Sequence, residues 1–173
     1  MASNTFTKIA TVTVGSGGAS SIDFSSIPAT YTDLVVKMSA RLNVSGDYDT
    51  IRMTVNSASS TYTNLLLYNA DNAVGSTAVS GQAQLRWLNS VNGTTSTANS
   101  FNNWELYIPN YAGSNQKSMS VDAVTENNAT TGQANTLAAG LWSGTSAITD
   151  ISFNPAYSFL QYSTATLYGI KNS

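Results

Sequence analysis

Thr32-Asp33-Leu34-Val35-Val36-Lys37-Met38-Ser39-Ala40-Arg41-Leu42-Asn43 is the stretch on which the fold turns. Leu34, Val36, Met38, Ala40 and Leu42 recur at every second position, with Asp33, Lys37, Ser39 and Arg41 between them. Successive side chains of an extended chain point to opposite faces, so this period of two predicts an antiparallel strand with one buried and one solvated face. A helix needs apolar residues three and four apart, and that spacing hardly occurs in the sequence.

The same alternation continues on both sides. Ile51, Met53 and Val55 alternate with Arg52, Thr54 and Asn56, and the turn residues Ser45-Gly46-Asp47 predict a hairpin that pairs this run with the one before it. Further strands are expected over 6–14, 64–68, 83–88, 101–109, 117–125, 136–142, 147–153 and 163–171, separated by turns rich in Gly, Asn and Ser. About ten short strands and no substantial helix make the chain all-β, with a jelly-roll-like antiparallel β-sandwich as the expected architecture. An immunoglobulin-type sandwich has fewer strands and a Cys…Trp…Cys pattern that is missing here. The chain reads as a single domain over 1–173, in which 1–20 form an N-terminal strand and a flexible turn or arm. The stretch 92–100 is low in complexity and is expected to be an exposed loop.

Composition restricts the chemistry. There is no His and no Cys, so neither a Ser-His-Asp triad, a Cys–His nucleophile nor the usual zinc sites can be assembled. Only 7 Lys+Arg and 9 Asp+Glu are present, whereas Ser, Thr and Asn together supply 65 of the 173 residues. With 42% hydrophobic residues the chain is expected to fold around one core without disulfides or metal. A net charge of −2 and no basic cluster give no footprint for nucleic acid or an anionic membrane. The start shows no basic region followed by an apolar run, so synthesis in the cytoplasm is expected, with release by a route such as lysis.

Several residues invite a functional reading. Asp47-Tyr48-Asp49 after Gly46 gathers carboxylates in one loop, as calcium requires, but lacks the longer pattern of an EF-hand and reads first as a turn. Glu105 and Glu126 are the only glutamates; Glu105 falls out of phase with Trp104, Leu106 and Ile108, which places it on a solvated strand face and not in a catalytic pair. Gly15-Ser16-Gly17-Gly18 has neither the Lys-Ser/Thr nor the helix that a phosphate-binding loop needs. No catalytic residue, metal or cofactor is therefore assigned. Trp104 alternates with core residues, while Trp87 beside Arg86 and Trp142 before Ser143-Gly144-Thr145 are candidates for surface contact, by stacking on a sugar ring for instance. Tyr31, Tyr62, Tyr111 and Tyr157 sit beside turn residues, where a flat apolar ring with a polar tip suits an interface.

Two segments carry a resemblance. Phe6–Val14 followed by Ile27-Pro28-Ala29-Thr30-Tyr31-Thr32-Asp33-Leu34, and the ending Leu167-Tyr168-Gly169-Ile170, resemble virion proteins of tailed bacteriophages, particularly aquatic phages and cyanophages. The resemblance covers the two ends of the chain. It implies a β-sandwich framed by those strands and a structural, non-enzymatic role. It points to a capsid decoration or cement protein on the phage head surface, bound to the major capsid protein and self-associated as a homotrimer. The alternative that it leaves is a tail-fibre or other receptor-binding domain that recognises host glycans.

Overall fold

A computed structural model describes residues 5–59 and 61–171. Among them lie twelve strands and no helix. In chain order these are β1 (Phe6–Thr13), β2 (Ile22–Phe24), β3 (Asp33–Ser39), β4 (Tyr48–Val55), β5 (Tyr62–Ala70), β6 (Ala73–Gln82), β7 (Leu85–Asn92), β8 (Asn103–Ile108), β9 (Lys117–Thr125), β10 (Ala134–Trp142), β11 (Ile151–Phe153) and β12 (Thr164–Ile170). They form an eight-stranded sheet in the order β1-β12-β3-β8-β9-β10-β5-β6 and a four-stranded sheet in the order β2-β11-β4-β7, and every pairing is antiparallel. Apart from the β5–β6 hairpin and the β8–β9–β10 meander, consecutive strands from β1 to β12 cross between the sheets. That is the connectivity of a jelly roll in which the β8–β9–β10 meander takes the place of one strand and β12 and β1 extend the large sheet on one side.

The period of two is realised where one face meets the core. Leu34, Val36 and Met38 of β3 are buried, as are Met119, Val121 and Ala123 of β9, while Lys37, Ser118 and Ser120 between them are exposed. The two sheets meet through Trp104 of β8, which packs edge-on against Trp87 of β7 and Phe153 of β11 with ring centroids 5.3 Å apart in both contacts. Aromatic edges and faces carry opposite partial charge, which favours this arrangement over parallel stacking.

The expected β3–β4 hairpin does not form. β3 pairs with β12 and β8 in the large sheet, and β4 pairs with β7 and β11 in the small one. The chain leaves the large sheet after Ser39, and its main chain is taken up at the crossover: Leu42 N–H donates to Asn92 O at 2.8 Å, and Arg41 O accepts from Leu160 N–H at 2.8 Å. Asp33 and Arg41, expected on the solvated face, are both buried. Asp33 accepts from the Tyr107 hydroxyl at 2.9 Å and from Asn110 N–H at 2.8 Å, so its carboxylate keeps hydrogen-bond partners in place of water.

The two terminal motifs are neighbours. Pro28 lies on the crossing from β2 in the small sheet to β3 in the large one, and β12 lies between β1 and β3, with Leu34 opposite Gly169. The Tyr31 ring covers Gly169, where a Cβ would stand 2.3 Å from Tyr31 Cγ. Glycine is required there because the root of the ring, not a flexible tip, occupies the space. Gly169→Ala is expected to cost about 1–3 kcal/mol in denaturant unfolding, the range for overpacking. In a Tyr31→Ala background the same change should be close to neutral, and additive losses in the double-mutant cycle would contradict the contact.

Candidate functional site

Four of the six aromatic residues expected at a surface or interface are enclosed. Trp87 and Tyr111 are fully buried, and Tyr62 and Trp142 are buried between the sheets or under loops. Trp87 occupies an inward position of β7 in the aromatic contact with Trp104. Trp142 is closed over by Gly144, where a Cβ would stand 2.1 Å from the indole, and by the Lys117 ammonium 5.9 Å from its ring centroid. The Tyr62 hydroxyl accepts from Val55 N–H at 2.9 Å, and the Tyr111 hydroxyl donates to Pro28 O, so both pin loops from inside. Tyr31 is half-buried on Gly169, and Tyr157 is exposed. Turn residues beside a tyrosine had pointed to the rim, but a turn can also fold inward over its own ring.

The acidic candidates are engaged in local bonds. Asp47 accepts from the Thr95 hydroxyl at 2.6 Å, and Glu126 accepts from Asn128 N–H at 2.7 Å. Glu105 pairs with Lys37 at 2.7 Å on the solvated face, and the Glu105 hydrogen bond raises the Lys37 pKa. Among the described residues no group of three or more His, Cys, Asp or Glu side chains is placed to hold a metal ion.

What the aromatic reading missed lies on the outer face of the large sheet. One row of paired positions crosses all eight strands: Ser76, Leu67, Leu137, Asp122, Glu105, Lys37, Thr166 and Thr11. Its β3–β8–β9 part is charged and its β6–β5–β10 part is not. There Leu65, Leu67 and Leu137 are 59%, 53% and 59% exposed, and Leu67 lies directly opposite Leu137. Ala78 and Ala139 flank Leu65, and Val74 of β6 extends the stripe. β6 pairs only with β5, and its sequence Ala-Val-Gly-Ser-Thr-Ala-Val-Ser-Gly-Gln contains no charge and no proline. Sheet edges are commonly guarded against pairing by those residues. The opposite edge, β1, carries Lys8 and a bulge between Lys8 and Ala10. The sequence signal for the stripe is Leu65-Leu66-Leu67, since three consecutive leucines of a strand cannot all lie on one face.

The loop after β7 is held from within. The buried Arg41 guanidinium donates through Nη1 to Thr97 O (2.7 Å) and Ser100 O (3.1 Å), and through Nη2 to Ser96 O (2.7 Å) and Thr94 O (3.3 Å). Burial lowers its pKa, and burial likewise lowers that of Lys117, which donates to Gly113 O at 2.7 Å and to Asn115 O. Both cations replace hydration by carbonyl oxygens. The predicted exposed loop 92–100 is therefore wrapped around a cation, with Ser96 buried and Thr94, Thr95 and Thr97 exposed.

Arg41→Met should leave these carbonyls without donors and cost about 3 kcal/mol in chemical denaturation, the upper range for hydrogen bonds to a charged group. Arg41→Lys should recover part of that loss, because one ammonium cannot reach every carbonyl that the planar fork reaches. Unchanged stability in both variants would contradict the anchoring role. In comparisons with known proteins, no protein-family model matches the chain, and a search of curated proteins returns no match.

Proposed function

We propose that this chain is a structural protein of the tailed-phage virion: a capsid decoration or cement protein that binds the outer surface of the head and stabilises contacts between major capsid subunits. The observation that supports this reading most is the uncharged stripe of Leu65, Leu67, Leu137 and Val74 beside the open, charge-free edge of β6. Exposed apolar side chains grouped on one face favour contact with another protein, and an unguarded edge can add main-chain hydrogen bonds to it. Affinity built from apolar burial and shape depends little on salt, which suits a chain with so few charges. Self-association as a homotrimer belongs to the same proposal, because three modest contacts held together gain avidity. The part assigned to the chain is mechanical clamping without catalysis, and its glutamates are engaged by Lys37 and a main-chain N–H. Nucleic acid and membranes are not proposed as partners, since the seven Lys and Arg form no cluster in the sequence and two of them, Arg41 and Lys117, are buried.

The reading as a glycan-recognising fibre domain had rested on Trp87 and Trp142 as stacking platforms, and neither ring reaches the surface. Leu137→Lys tests the preferred reading. Residue 137 is exposed and adjoins Asp122, so the melting temperature should stay close to that of the wild type while incorporation into virions falls sharply. Full incorporation of the variant would remove the stripe as the docking surface.

A further inference from the structure

A cleft of about 540 Å³ opens at the end of the sandwich where the loops after β1, β3, β7 and β11 meet. Its size falls within the roughly 300–1,000 Å³ of ligand pockets. Tyr162 stands on it, 69% exposed, with φ of 72°, a left-handed backbone that bulky residues rarely adopt. Its N–H donates to Val14 O at 3.0 Å and the next residue's N–H donates to Leu160 O at 3.1 Å, so the main chain is held in this turn and the ring is presented to solvent. Gly18 and Asn99 line the same cleft, also with left-handed φ of 70° and 64°. At Gly18 a Cβ would stand 2.9 Å from Phe159 O, so glycine is what lets these two loops close together.

The chemistry of the wall is specific. Asn43, Asn99 and Gln161 offer neutral amides, no carboxylate lines the cleft, and the only charged residue in it is Arg41. The Arg41 donors are occupied by carbonyls, yet no carboxylate is among its partners, so its positive field is not cancelled locally. A cationic ligand would find no counter-charge here. A phosphate needs several free donors, and those of the guanidinium are in use. A wholly apolar ligand would leave the amides unpaired.

We propose that this cleft binds a saccharide: a pyranose ring stacked by its C–H face on Tyr162, its hydroxyls meeting the amides of Asn43, Asn99 and Gln161. A uronic acid is preferred to the neutral hexose, through the field of Arg41. The site is separate from the leucine stripe and does not depend on where the protein resides.

Saturation-transfer NMR of the full chain with D-glucuronate and with D-glucose as probes tests it. Both should receive saturation from the wild type, glucuronate more strongly, and Tyr162→Phe should retain binding. Tyr162→Gly relieves the left-handed backbone, so it should melt no lower than the wild type while weakening binding about tenfold, the loss of one stacking contact. Tyr162→Asn, also at ease at positive φ, serves as a second variant should glycine loosen the loop. No transfer to either sugar, or undiminished transfer in a folded Tyr162→Gly or Tyr162→Asn, would overturn the site. Equal binding of the two sugars would overturn the charge preference.

Discussion

Trp104 set edge-on between Trp87 and Phe153 is the contact on which the rest of the architecture depends. The chain has no cysteine, so no disulfide ties the two sheets together, and burial and aromatic geometry carry most of the contact between them. Trp104 comes from the eight-stranded sheet and its two partners from the four-stranded one, so the cluster also sets which strands face each other. β7 packs on the inner face of β5, β10 and β9, while the leucines of β5 and β10 that point the other way stay uncovered. The exposed stripe lies on the outer face of the large sheet, the side away from the small sheet.

Two cations make the loops as definite as the strands. Arg41 and Lys117 are buried without a carboxylate, an arrangement that would be costly if their N–H groups did not find carbonyl oxygens. In satisfying that requirement they gather the loops around them into one shape. Around Arg41 the result is the wall of the Tyr162 cleft, so a residue that fastens a crossover also shapes a surface that can recognise a ligand. Rigid loops on a rigid sandwich suit a protein that acts by contact, since little conformational entropy is lost when a partner arrives.

The fold was largely legible because alternation survives wherever a strand is buried on one side only, as in β9, β10 and β12. β6 escaped notice because it is an edge strand made of Ala, Gly, Ser and Val, with no apolar periodicity to betray it. β2 is three residues long and β3–β4 is a crossover whose Ser-Gly-Asp turn resembles a hairpin, so local turn chemistry gave the wrong partner where jelly-roll topology decided. The site was less legible than the fold. Trp87, Trp142, Tyr62 and Tyr111 looked available beside turns or charged neighbours, but burial is a tertiary property, and large aromatic side chains are what a sandwich without disulfides uses to fill its core. The run Leu65-Leu66-Leu67 implies leucine on both faces of its strand without saying which face is open, and Tyr162 gained meaning only when four loops separated in sequence came together.

On the proposed function, this sandwich sits on a capsid with its uncharged sheet face turned toward the shell. A cryo-electron microscopy reconstruction of the intact virion, at a resolution that orients a β-sandwich, tests it most directly. The account predicts the domain on the outside of the head, with the β6–β5–β10 side of the large sheet against the capsid lattice and the Tyr162 end open to solvent. Density for the domain on the tail, or on the head with that leucine face pointing away from the shell, would contradict it.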